Sequence, residues 1–75
     1  MPDMDNTVTD EMIEVDSILS YFTFAHLPNH LQTISRPFNV IAAEMFAKLE
    51  RGPERTVCFR KLLEAKDCAV RAALW

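Results

Sequence analysis

Within twelve residues, "YFTFAHLPNHLQ" at 21–32, the chain places three aromatics, two histidines and a proline. Three chemistries use such residues: metal ligation by imidazoles, stacking of a flat ring on an aromatic face, and packing at a helix junction. His26 and His30 stand four apart, a spacing that on an unbroken helix puts both rings on one face and suits zinc. Pro28 lies between them and disfavours the helical conformation at Leu27, so His26 falls outside the helix and the pairing fails. The cysteines come about 30 and 40 residues later, which matches no usual zinc-finger spacing. No metal site is expected. Phe24 is a different matter. An aromatic in a bend, beside His26 and Pro28 and close to a helix start, has what is needed to stack on a nucleobase, worth about 1–3 kcal/mol per base. The nearby helix N-terminus offers unpaired N–H groups to a phosphate. Ser35 and Arg36, about two turns on, add a hydroxyl and a positive charge. For Phe22 the packing reading is preferred: it staples a first helix to the helical hairpin, while Tyr21 covers the end.

Catalysis has little to work with. Gly52 is the chain's single glycine, which rules out a Gly-x-Ser-x-Gly elbow and a Gly-rich phosphate loop. A chain of 75 residues has little from which to build a water-excluding pocket. The expectation is a protein that is no enzyme and carries no cofactor.

That length makes at most one domain, and a chain so short buries only about 60–65% of the surface its unfolded form exposes. Yet 49% of the residues are hydrophobic, more than one small core hides, so self-association is expected. No stretch reaches the roughly 18 uncharged apolar residues of a membrane helix, and Met-Pro-Asp-Met-Asp lacks the basic region of a signal peptide; a cytosolic chain is expected. Cys58 and Cys68, on one helix, would lie about 15 Å apart, too far for a disulfide, and read as small buried residues. The net charge of −3 divides unevenly. Six acids and no base fall in residues 1–16; the remainder is mildly basic. The balance fits a solubilising leader and solvated helix faces, or a few bases lining an anion site.

The fold class expected is all-α: a disordered acidic leader over 1–8, then one domain over 9–75, made of a short N-terminal helix and an antiparallel helical hairpin, homo-oligomeric. Val15, Ile18, Leu19 and Phe22 have helical spacing, with Thr9 or Asp10 as cap and an end near Tyr21. A second helix starts at Pro28; Pro37 should kink it or delay its start to Ser35. Gly52 suits a left-handed position past that helix's end, and Pro53 opens the last helix. That helix carries a small track (Cys58, Leu62, Ala65, Ala69, Ala72) and a bulky one (Phe59, Leu63, Val70, Leu74). Arg60 with Glu64 and Asp67 with Arg71 are spaced for ion pairs. No strand pattern appears.

"FTFAHLP", then Gln32, a long apolar helix, and "GPERTVCFRKLLEAKDCAVRAAL" together resemble the small helical-hairpin sponges with which phages counter the CBASS and Thoeris defences. The likeness covers roughly residues 18–74. It runs through Phe22, Thr23, Phe24, His26, Pro28 and Gln32, then Pro53, Glu54 and Arg55, then Glu64 and Ala65. Phe24 stands where the family has a stacking tyrosine and keeps the π-face. The resemblance implies a hexamer that holds cyclic dinucleotides between subunits, and in some members cyclic trinucleotides, without cleaving them, in the cytoplasm of the infected bacterial host. The ligand-binding set it suggests is Phe24, His26, Pro28, Ser35, Arg36, Asn39 and Arg55. In that set Asn39 stands in the region where relatives carry a base, and Arg36 or Arg55 faces phosphate.

Two other readings stand beside it. A helical oligomer whose exposed track docks another protein explains the apolar excess with no nucleotide. A helix-turn-helix DNA binder fits less well: the bases do not cluster on one recognition helix, and the turn at Gly52-Pro53 suits a tight hairpin. No DNA and no membrane are expected as partners.

Overall fold

Thr9 opens the first helix. Its Oγ1 accepts the Met12 N–H at 3.2 Å, and Asp10 and Glu11 occupy the first turn, where carboxylates complement the helix dipole. The structure, a computed structural model, describes residues 6–75; residues 1–5 of the expected leader lie outside the described residues. Of the leader's last part, Val8 is fixed: its N–H donates to Asn39 Oδ1 at 2.7 Å, and its side chain packs on the core.

The first helix, α1 (Asp10–Val15), is shorter than its apolar spacing suggests. Asp16 leaves the helical region at φ −130°, ψ 99°, and a separate 3₁₀ helix, Ser17–Phe22, comes next. In a 3₁₀ helix residues three apart eclipse one another. Leu19 and Phe22 therefore share one face, and both are fully buried. The single helix expected to end near Tyr21 is corrected to these two pieces, because Asp16 turns its carboxylate away from the helix and onto Arg55.

The second helix, α2 (Asn29–Lys48), runs unbroken through Pro37; it neither waits for Ser35 nor stops there. The proline leaves the Thr33 carbonyl without its usual donor, but Thr33 and Pro37 are both exposed, so solvent reaches it. Leu49 ends the helix in an extended conformation, its N–H returning to the Met45 carbonyl at 2.9 Å. Four residues, 49–52, lead to α3 (Pro53–Ala73). Here a second expectation fails: Gly52 has φ 169°, ψ 173°, extended backbone open to any residue, not the left-handed region. Its carbonyl accepts the Thr56 N–H at 3.2 Å, and Pro53 at the first helical position loses no bond, since that N–H would have no partner inside the helix.

Leu19, Phe22, Ala42 and Phe59 form the buried core, with Ile13, Phe38, Phe46 and Leu63 among the partly buried residues around it. Phe22 thus packs between the 3₁₀ helix and both long helices. At the end of the 3₁₀ helix two carbonyls are held from different sides. Asn39 on α2 donates to Phe22 at 2.8 Å, and Lys66 on α3 donates to Tyr21 at 2.5 Å. The molecule measures 36 × 30 × 17 Å, and its thin dimension leaves apolar residues half out: Ile41 is 42% exposed and Val57 40%. Cys58 is partly buried; Cys68, expected inside, is exposed, and both are free. The ion pairs expected on α3 are replaced. Glu64 lies 4.0 Å from Lys61, and Arg71 donates to Cys68 Sγ. Among the described residues no helix is long and apolar enough to cross a membrane.

Candidate functional site

The segment between the 3₁₀ helix and α2 is a bend braced from one side. Thr23 is extended, at φ −67°, ψ 148°, and its hydroxyl donates to the Ser20 carbonyl at 2.9 Å. The Leu27 N–H closes a turn on the Phe24 carbonyl at 3.0 Å. Gln32, one turn into α2, then reaches back. Its Nε2 donates to the Leu27 carbonyl at 2.7 Å and to the Ala25 carbonyl at 3.3 Å. One side-chain amide thereby fixes the backbone that carries Phe24, His26 and Pro28. Phe24 is partly buried; His26 and Pro28 are exposed.

Pro28 caps α2 with its carbonyl, which accepts the N–H groups of Leu31 at 2.9 Å and Gln32 at 3.0 Å. No side chain caps the helix. The first N–H groups of a helix have no partner within it, and at this end they carry the positive end of the dipole. Arg36, exposed, sits about 10 Å further along the axis. With Thr33, Pro37 and Val40 it lines a shallow cavity of about 290 Å³. The bend can therefore offer an aromatic face, an imidazole and helix N–H groups, with a guanidinium two turns away.

The other three residues of the expected binding set are not at this surface. Ser35 is fully buried, and its hydroxyl has no hydrogen-bond partner. Asn39 is 2% exposed. Its amide is committed at both ends, accepting from Val8 and donating to Phe22. Arg55 is also buried. Its guanidinium donates to Asp16 and to the Leu49 carbonyl at 2.7 Å, and lies over the rings of Phe46 and Phe59 at 4.7 and 5.5 Å from their centroids. Asn39 and Arg55, both expected among the ligand-binding residues and Arg55 as one of two candidates to face phosphate, have their polar ends taken up inside the chain, where they act as anchors. They tie the N-terminal segment, the 3₁₀ helix and the connection at 49–52 to the long helices. Phe24, His26, Pro28 and Arg36 remain as the surface set.

Sequence reasoning gave Gln32 no role of its own, yet it holds the bend. The signal was available: an amide four residues after a helix-starting proline is placed to meet the carbonyls that enter the helix. Asn39 had a signal too. Leu31, Ser35, Asn39 and Ala43 form one i,i+4 row, and the two polar residues set between Leu31 and Ala43 are buried with them. Asp16 had none, since its partner lies 39 positions away.

No protein-family model, curated protein or solved structure matches this chain.

Proposed function

We propose that the protein is a phage immune-evasion sponge. It binds cyclic oligonucleotide messengers, cyclic dinucleotides first, and sequesters them uncleaved in the cytoplasm of the infected bacterium. In this reading α2 and α3 form an antiparallel hairpin, several copies assemble, as a hexamer in the family the sequence resembles, and the ligand lies between them. The hairpin is supported by reach. Four connecting residues span at most about 14 Å, under half the length of either long helix, so helices packed along each other must run in opposite directions. Asn39 and Lys66, both well away from the connection, meet the same end of the 3₁₀ helix, as opposed helices require.

The observation that carries the ligand reading is the bend itself. Gln32 clamps two of its carbonyls, so Phe24 and His26 sit on backbone ordered before any ligand arrives. Ordering in advance lowers the cost of binding. Phe24 stacks on a base, His26 and the α2 N–H groups meet polar edges or phosphate, and Arg36 supplies charge. Competition with an immune effector requires a Kd near nM, about −12 kcal/mol. Calorimetry and thermal-shift measurements with a panel of cyclic di- and trinucleotides test this; no heat and no shift with any of them ends it.

The half-exposed Ile41, Leu49 and Val57 favour the second reading, an interaction module with no nucleotide. A protein partner retained after Phe24→Ala, together with silence in the nucleotide panel, selects that one.

A further inference from the structure

The segment that enters α1 lies against the second half of α2, and a cavity of about 200 Å³ is left between them. Side-chain size explains the gap. On α2 the lining residues are Ala43, Glu44 and Ala47; the two alanines, one turn apart, are too small to close on Met12 of α1. Both walls are braced. The Val8 N–H donates to Asn39, one turn before Ala43, at 2.7 Å, and Thr9 caps α1 by accepting the Met12 N–H. The lining divides by chemistry. Met12, Ala43 and Ala47 are apolar, while Asn6, Thr7, Thr9 and Glu44 bring side-chain oxygens. The charges around it are mostly negative. Asp10 and Glu11, both exposed, fall between the lining residues Thr9 and Met12. The base beside them is Lys48, 3.8 Å from the Glu44 carboxylate, with both side chains more than half exposed. At that separation the pair is too long for a hydrogen bond, so the carboxylate keeps its capacity to accept.

Size and charge together narrow the occupant. A nucleotide does not fit: pockets for drug-sized ligands run to about 300–1,000 Å³, and a phosphate would meet carboxylates. A metal ion is poorly served. Among the described residues no three His, Cys, Asp or Glu side chains come together to hold one, and a hard cation takes about six oxygen ligands or more. What suits the lining is a compact cation on an apolar stem. An ammonium group donates three hydrogen bonds and accepts none, so it matches one carboxylate set among neutral oxygens. Methylenes behind it cover the apolar part of the lining. We propose that this cavity binds the ammonium end of an unbranched alkyl chain, the chemistry shared by aliphatic polyamines and a lysine side chain. Glu44 takes the charge, Asn6 and Thr7 accept further N–H bonds, and the methylenes lie on Met12, Ala43 and Ala47. The occupant bridges the N-terminal segment and α2, so it stabilises the fold as it binds. The site needs neither the nucleotide nor self-association.

The test uses the full chain at low salt, with diaminobutane, spermidine and acetyl-lysine methylamide as separate probes. Saturable heat by calorimetry at one site per chain, with a raised melting temperature, is expected for at least one of them. The tightest probe names the source of the ammonium, free polyamine or lysine side chain. Glu44→Gln should weaken that binding by about tenfold or more, as loss of a charge-assisted hydrogen bond does. Glu64→Gln removes the same charge from α3, where Glu64 lies 4.0 Å from Lys61, and should leave binding unchanged. Lys48→Ala removes the ammonium that competes for Glu44 and should tighten binding; Lys61→Ala, of equal charge change, should not. Ala47→Leu fills the gap from an exposed position, so the fold is kept and binding is lost. It serves as the second variant should Glu44→Gln fail to fold. Absence of heat with every probe overturns the proposal. Equal weakening by Glu44→Gln and Glu64→Gln, or displacement of the probe by equimolar magnesium, reduces the effect to general attraction by an acidic chain and overturns it too. So does undiminished binding in a folded Ala47→Leu.

Discussion

Beneath the 3₁₀ helix, Asn39 and Arg55 are buried with their polar ends paired inside the chain. In the bend just after it, His26 and Pro28 face solvent, and a single amide, Gln32, reaches in to hold the backbone. Both regions are rich in groups that recognise ligands, and residue type alone does not separate them. What separates them is whether those groups have already found partners. A buried asparagine with both ends bonded can offer nothing without breaking the fold, whereas an exposed imidazole on a braced turn gives up only water. The first region is a clasp; the second is a surface.

The largest expected effect attacks the clasp at its ion pair. Asp16→Ala strands the buried Arg55 guanidinium, and losing one partner of a buried pair costs about 3–5 kcal/mol. Asp16 keeps 20% of its side chain in solvent, so about 3 kcal/mol is expected, read from the urea midpoint at unchanged slope. Next comes Asn39→Ala, which leaves the Phe22 carbonyl and the Val8 N–H without partners. At 1–3 kcal/mol for an unsatisfied buried group, a loss of about 2 kcal/mol is expected by the same measurement. An effect below about 0.5 kcal/mol would return Asn39 to the pool of available surface groups.

Phe24→Ala should show the opposite profile. Under the proposed function, affinity for a cyclic nucleotide falls by about 1–3 kcal/mol, the worth of one stacked base and a factor of about 5 to 150 by calorimetry, while the melting temperature of the unliganded protein changes little. Gln32→Ala falls between the regions: removal of the brace lowers stability by about 1 kcal/mol, and the proposed ligand would then meet a bend that must be ordered first. The smallest effect belongs to the connection. Gly52→Ala meets no atom within 4 Å at a backbone conformation alanine tolerates, so reduced freedom of the unfolded chain should stabilise the fold by about 0.5 kcal/mol. A loss of stability there would show that the glycine is needed after all.

Local patterns carried much of the fold. The Thr9 cap, the start after Pro28 and the start at Pro53 arise from residues adjacent in the chain, and each is where its chemistry places it. What stayed hidden depends on distant partners. The break at Asp16 makes sense only with Arg55, and the commitment of Asn39 only with Val8, 31 positions away. Pro37 was overrated as a breaker because burial of Leu31, Ala42 and their neighbours outweighs one lost bond on an exposed turn. Of the site, the aromatic bend was legible from composition. The division between paired and available polar groups was not, because pairing is a property of the folded chain.

The Val8 amide, held by a side chain from the middle of α2, also has a use as a kinetic probe. Amide protons outside regular helices and sheets ordinarily exchange with deuterium as fast as their segment opens. This proton can leave only when the segment around Val8 lifts off the long helix, so its exchange rate measures that lift-off. Slow exchange at Val8 beside fast exchange in the exposed first turn of α1 would mark the entry as part of the cooperative unit.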